Sequence, residues 1–301
     1  MAGYFTDVDG IKVGHYTDKE NMTGCTVIIP DKNAPCGVDV RGSAPGTRET
    51  DLLNPINLVT GVDAIVLSGG SAYGLGVSQG VMEFLRERQI GIDVGVGVVP
   101  IVPQAIIFDL AYGNFHYPTK ENGYFACENA SYEDKSIGQI GAGTGASVGK
   151  ILGMEYASKS GIGQASIKAG DLIASALVCV NALGDVFNKE GKEIAGVRKN
   201  GRFISTMDIL KSESIKLSNT NTTIGVIATN ASLNKTEATK VSQMAHDGLA
   251  RCINPIHTME DGDTLFAISQ GEIKANLSLV GALAAEACEE AVLSIFTREE
   301  K

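Results

Sequence analysis

A chain of 301 residues is long enough for one large domain or two small ones, and 44% hydrophobic with 20% charged residues is the composition of an ordinary soluble globular protein. A formal net charge of −10 argues against a nucleic-acid binder, which needs a basic surface. No apolar run approaches the ~18 residues of a membrane helix, and residues 1–12 lack the basic and apolar regions of a signal peptide, so the cytoplasm is the expected compartment.

The 36 glycines between apolar runs imply many tight turns and close backbone approaches. The six cysteines form no CxxC pair, and several lie in apolar runs, which reads as buried free thiols. The four histidines, His15, His116, His246 and His257, show no metal-ligand spacing and no HExxH. His246 and His257 are read as structural.

In chain order, residues 25–30, 37–41 and 63–68 have the composition of strands. Residues 71–89 carry Leu75, Val77, Val81, Met82, Phe84 and Leu85 at helical spacing, with Ser71 as a plausible N-cap. Residues 95–102 and 105–110 are strand candidates, and the polar stretch 112–135 reads as loop. A Gly-rich segment, 137–150, precedes strand-like runs at 165–169 and 172–186. The chain then turns polar and weakly periodic over residues 189–221, a length that marks a functional or mobile loop. It ends at a clean strand, 222–229. A helix over 235–253, a short strand over 263–269 and an Ala-rich helix over 277–296 close the chain. Two packed sheets covered by helices would use all these pieces.

The junction Asn221-Thr222 offers the sharpest chemistry. A threonine hydroxyl is a poor nucleophile unless a base adjoins it. If the chain is cut just before a Thr, the new α-amine, with a pKa near 7.7–8, becomes that base. A long loop before the site and a strand start at it supply what an N→O acyl shift needs. Taken alone, Asn-Thr before a strand is common, and a loop ending at an edge strand is the ordinary reading.

The segment from Asn221 to Ala231 resembles the autoprocessing site of the P1 family of peptidases. That family includes L-aminopeptidase/D-amidases, β-peptidyl aminopeptidases and 6-aminohexanoate-oligomer hydrolases. Residues 10–15, 24–27, 39–50, 67–75, 244–251 and 261–266 also resemble family segments, in order, so the likeness covers nearly the whole chain. It implies an α/β fold, an αββα sandwich similar to N-terminal-nucleophile hydrolases but with its own connectivity. It further implies one domain over residues 1–301, autoprocessed into 1–221 and 222–301, which stay together.

Carried over residue by residue, Thr222 matches the nucleophile. Asp261 and Asp263 match an acidic pair of the nylon-oligomer branch, with the role of orienting the Thr222 amine and hydroxyl; the competing reading of Asp261-Gly262-Asp263 is a hairpin turn. Asn181 matches a family Asn whose amide could donate to the oxyanion, against a strand-end Asn in a turn. Lys150 matches a lysine beside the nucleophile, against a solvated lysine after a Gly-rich turn. Tyr112 is carried over on a looser alignment.

Other signals compete. Gly145-Ala-Ser147-Val-Gly149 fits the G-x-S-x-G nucleophile elbow, but Gly149, Gly153 and Gly161 interrupt the helix that should follow. Gly141-Ala-Gly143-Thr-Gly145 approaches a dinucleotide fingerprint without a βαβ context. Arg41 and Arg48 read as surface ion pairs.

The expected activity is therefore an amidase or aminopeptidase acting through an acyl-enzyme on Thr222. Acyl transfer of the ornithine acetyltransferase type, and an uncut scaffold without activity, are the alternatives. No metal or organic cofactor is implied. The expected partner is a small amide or short-peptide substrate, with neither nucleic acid nor membrane. The resemblance also implies a homo-oligomer, a tetramer of processed protomers.

Overall fold

The computed structural model describes residues 3–212 and 221–297. Its principal strands are Ile11–Asp18 (β1), Thr23–Pro30 (β2), Ala34–Val40 (β3), Ile65–Ser68 (β4), Gln104–Ile106 (β5), Gly161–Ala169 (β6), Leu172–Asn181 (β7), Thr222–Ala231 (β8) and Thr264–Ile273 (β9). The helices are Val77–Glu87 (α1), Lys120–Glu128 (α2), Thr206–Ser212 (α3), Lys235–Cys252 (α4) and Leu277–Thr297 (α5).

One sheet runs β1-β2-β4-β5, with the two-residue strand Thr47–Arg48 at its edge. The other runs β6-β7-β8-β9-β3, with Gly61–Val62 at its edge. Within it β7 and β8 are antiparallel, and β8 and β9 parallel.

The layering follows from the period-2 alternation of side chains in strands buried on both faces. Leu177 and Cys179 of β7, Ile224 and Val226 of β8 and Phe266 and Ile268 of β9 face Ile28, Ile65 and Leu67 of the first sheet. Their neighbours Ala176, Val178, Val180, Ile227, Leu265 and Ala267 face the other way, onto α4 and α5. On the far side of the first sheet, Val27 and Val66 pack against α1 and Ala126 of α2. The order is helix, sheet, sheet, helix, as the resemblance implied. The two helices over 235–253 and 277–296 stand nearly as read, α4 opening on a capping box between Asn234 and Glu237.

Several local readings are corrected. The segment from Ser71 begins as a 3-10 helix, Ser71–Gly76, and the α-helix starts only at Val77; Ser71 has a positive φ and does not cap it. Residues 95–102 form only the arm of a small hairpin, Val98–Val99 against Ile92–Asp93. Residues 112–135 are not all loop, because α2 lies within them. Its buried face is Gly123, Ala126 and Cys127, too small to announce itself as an apolar stripe. The run 172–186 is two strands, β7 ending at Asn181 and a short strand Asp185–Phe187 following. The polar stretch from 189 holds short strands and α3; its residues 213–220 lie outside the described ones.

All six cysteines are free and buried, and burial pushes their thiols upward, Cys127 to about 12. No helix among the described residues is long and apolar enough to cross a membrane.

Candidate active site

The first residue of β8 is Thr222, buried to 4% exposure and paired across the ladder with Asn181, the last residue of β7. The Thr222 hydroxyl donates to the carbonyl oxygen of Asn221, the residue before it. The same oxygen accepts the Gly262 N–H at 3.1 Å. A carbonyl with a hydroxyl against it and an N–H on its oxygen is polarised in the sense that acyl transfer needs.

Asp261-Gly262-Asp263 is no hairpin turn. It runs beside the head of β8, with Asn221 and Asp261 in a parallel bridge, and leads into β9. The segment after β3 holds it from the other side. Arg41 N–H donates to Asp263 O at 2.9 Å and Ala44 N–H to Asp261 O at 2.9 Å. Gly42 lies so close to Asp261 and Asp263 that a Cβ there would collide with their backbone. Gly262 is similarly constrained: its Cβ would stand 2.9 Å from Thr222 Oγ1 and 2.7 Å from Ala44 O.

Both carboxylates are fully buried, so both need partners. Asp263 Oδ1 accepts the Thr223 N–H at 2.5 Å, while Oδ2 accepts Nδ1 and the main-chain N–H of His257 at 2.7 and 3.1 Å. Asp261 Oδ2 accepts the hydroxyl and N–H of Thr258 at 2.6 and 2.9 Å. Burial, and then the neighbouring Asp263, push the Asp261 carboxyl above the usual carboxylate range.

Lys150 is buried, not solvated. Its Nζ donates to the main-chain O and to Oδ1 of Asn181 at 2.8 and 2.7 Å. Burial pushes its ammonium down to about 7, against the pull of Asp261, Cys179 and Asp109. Asn181 is thus a hub between Thr222 and Lys150. Its Oδ1 also takes the Ser147 N–H at 3.1 Å, and its Nδ2 donates to Phe108 O at 3.1 Å. In this arrangement the Asn181 amide oxygen holds Lys150, and the Gly262 N–H donates to the Asn221 carbonyl.

A cavity of about 110 Å³ adjoins Lys150, lined by Phe108, Asp109, Tyr112 and Met154 among others. Tyr112, half-buried, reaches the site there. Asp109 was not singled out in the sequence, although an acid inside the apolar run 105–110 is a signal. It is buried at 3% exposure and holds the Gly70 N–H at 2.6 Å and the Thr23 hydroxyl at 2.7 Å. Burial pushes its carboxyl up to about 6.

Ser147 sits in a two-residue strand with no α-helix after it, so the elbow geometry is missing. No group of acidic, His and Cys side chains among the described residues could hold a metal ion. Arg41 pairs with Asp39 at 2.7 Å, and Arg48 donates to Ser78 Oγ at 2.8 Å.

The model of peptidase family S58 matches residues 4–300, nearly the whole chain. The chain belongs to peptidase family S58. An uncharacterized aminopeptidase of Mycobacterium leprae is 43% identical over 298 residues, covering 90% of this chain and 79% of its own. The 6-aminohexanoate-oligomer endohydrolase of Paenarthrobacter ureafaciens is 32% identical, covering 95% and 84%. Among solved structures, a protein from Pyrococcus horikoshii superposes with TM-score 0.72 at 25% identity, over 97% and 86% of the two chains. The L-aminopeptidase D-Ala-esterase/amidase of Ochrobactrum anthropi, described as a variant of the Ntn hydrolase fold, superposes with TM-score 0.73 at 20% identity, over 98% and 86%. This S58 chain is a hydrolase acting on amide bonds, on an Ntn-type αββα frame.

Proposed function

We propose that this S58 chain is an autoprocessing aminopeptidase or amidase whose nucleophile, Thr222, is freed by cleavage of the Asn221–Thr222 bond. The observation that carries the reading is the Thr222 hydroxyl placed on the Asn221 carbonyl, whose oxygen also takes the Gly262 N–H. In the uncut chain Oγ1 attacks the Asn221 carbonyl carbon, the C–N bond breaks, and the Thr222 nitrogen takes the hydroxyl proton. Water then hydrolyses the ester, leaving the Asn221 carboxylate and a free Thr222 amine. The pieces, 1–221 and 222–301, stay joined, which the burial of β8 between β7 and β9 supports.

In the cut enzyme the α-amine takes the Thr222 hydroxyl proton as Oγ1 attacks a substrate amide, then gives it to the leaving amine. Asp261 and Asp263 orient the head of β8, and Lys150, held by Asn181, faces the cavity with Tyr112. The names of the relatives support aminoacyl amides, short peptides or amino-acid oligomers as the substrate class. Apolar side chains in the open, Leu58 at 93% and Val96 at 97% exposure, support assembly into a homo-oligomer.

Aminoacyl p-nitroanilides and 6-aminohexanoate oligomers, offered with and without free amino acids, test this. Release of free acid at a rate unaffected by the added amino acid supports hydrolysis. Products consisting mainly of new acyl-amino acids would replace hydrolysis with acyl transfer.

A further inference from the structure

The sequence gives His246 and His257 no chemistry, yet the fold stacks them directly behind Asp263. His257 makes two of the three hydrogen bonds that the Asp263 carboxylate receives, one from its ring and one from its backbone. A carboxylate accepts only, so His257 Nδ1 carries a hydrogen, and Nε2 is the ring's other nitrogen. That Nε2 is buried without a hydrogen-bond partner among the described residues.

The ring is fixed from behind. It meets His246 edge to face, with centroids 4.9 Å apart and planes at 74°. His246 is fully buried on α4, and its Nε2 lies 3.1 Å from the Asp39 carbonyl oxygen. Burial, first of all, holds the His246 imidazole neutral, with a pKa of about 4.

His257 also has φ +57, in the left-handed region that disfavours a residue with a Cβ. The fold thus keeps a strained histidine where a glycine would meet no strain. A space-filling role explains the ring's volume and leaves the hydrogen bond and the strain without a reason.

We propose that His257, backed by His246, is a positioning residue for Asp263. It pins Oδ2 so that Oδ1 stays on the Thr223 N–H at the head of β8. The charged groups around the pair are Asp261 and Asp263 before β9, Asp39 and Arg41 at the end of β3, and Asp247 on α4. This assignment rests on Thr222 being the processed nucleophile.

The test is self-cleavage of freshly translated full-length chain at pH 8, for wild type, Thr222→Ala, His257→Gly and His257→Asn. Both His257 variants tolerate positive φ, and thermal melts check that they fold. Asparagine Nδ2 replaces Nδ1 as donor, while glycine has none. His257→Gly is expected to cleave about 100-fold more slowly, the order of loss when a reacting group is misplaced. His257→Asn is expected to recover most of the rate, because its Nδ2 restores the donor to Asp263. A folded His257→Gly cleaving at the wild-type rate, or His257→Asn as slow as His257→Gly, overturns the assignment alone. A wild type that stays whole overturns it together with the reading of Thr222.

Discussion

Gly262 concentrates the geometry of the site in one position, and replacing it with alanine separates catalytic placement from stability. The added methyl would lie 2.7 Å from Ala44 O, 2.9 Å from Thr222 Oγ1 and 3.1 Å from Pro45 Cα, where ordinary contact begins at 3.4 Å. Two of the three neighbours are backbone, pinned by the Ala44–Asp261 hydrogen bond. The movable one is the Thr222 side chain, which must give by roughly 0.5 Å. Overpacking of this size costs about 1–3 kcal/mol. Misplacing a reacting atom by about 1 Å costs on the order of 100-fold in rate. Gly262→Ala is therefore expected to fold, to melt a few degrees lower, and to self-cleave about 10- to 100-fold more slowly. Gly76→Ala is the control: Gly76 has φ −68 and open space at its Cβ, so it should melt unchanged or slightly higher and cleave normally. The assay is translation of the full-length chain with timed denaturing electrophoresis. A Gly262→Ala chain cleaving as fast as wild type would refute the placement of Thr222 Oγ1 against this loop.

Three further outcomes follow from the same contacts. Lys150 is held near 7 by burial but would titrate near 10.4 in the unfolded chain, so between these values the unfolded state binds more protons. The stability of wild type relative to Lys150→Met should rise with pH from about 7 toward 10, by at most about 1.4 kcal/mol per pH unit; urea unfolding at pH 6.5 and 8.5 reads the slope. Phe266→Ala, at a fully buried position between the sheets, should cost about 3–5 kcal/mol in urea unfolding. Thr222→Ser keeps a hydroxyl at the head of β8 and should still self-cleave, within about tenfold of wild type, in the same electrophoretic assay.

The layers were legible because they rest on long patterns. The strand at 222–229 and the helices over 235–253 and 277–296 carry enough apolar residues in register to be read alone. The failures share a cause, in that tertiary contacts chose among weak local preferences. Helix α2 buries Gly123 against the Val77 backbone, a fit that needs the absence of a side chain and so leaves no hydrophobic stripe. The run breaks after Asn181, whose main-chain carbonyl accepts from Lys150 Nζ. The residues carried over by resemblance do converge: Thr222, Asn181 and Lys150 are linked through one ladder pair and one amide, and Tyr112 lines the adjoining cavity. The supporting residues were the harder ones to read. Gly262 and Gly42 matter through what a Cβ would strike, and His257 lies on a loop, where no periodicity announces its bonds to Asp263.

The central claim is the cut before Thr222. Denaturing mass spectrometry of the purified protein beside its Thr222→Ala variant tests it most directly. The 31.5 kDa wild-type chain should yield two pieces of roughly 23 and 8 kDa, in proportion to their lengths. The smaller should begin Thr-Thr-Ile-Gly, and the variant should stay whole. A wild-type chain that remains whole after long incubation, or a variant cut at the same bond, would contradict the account.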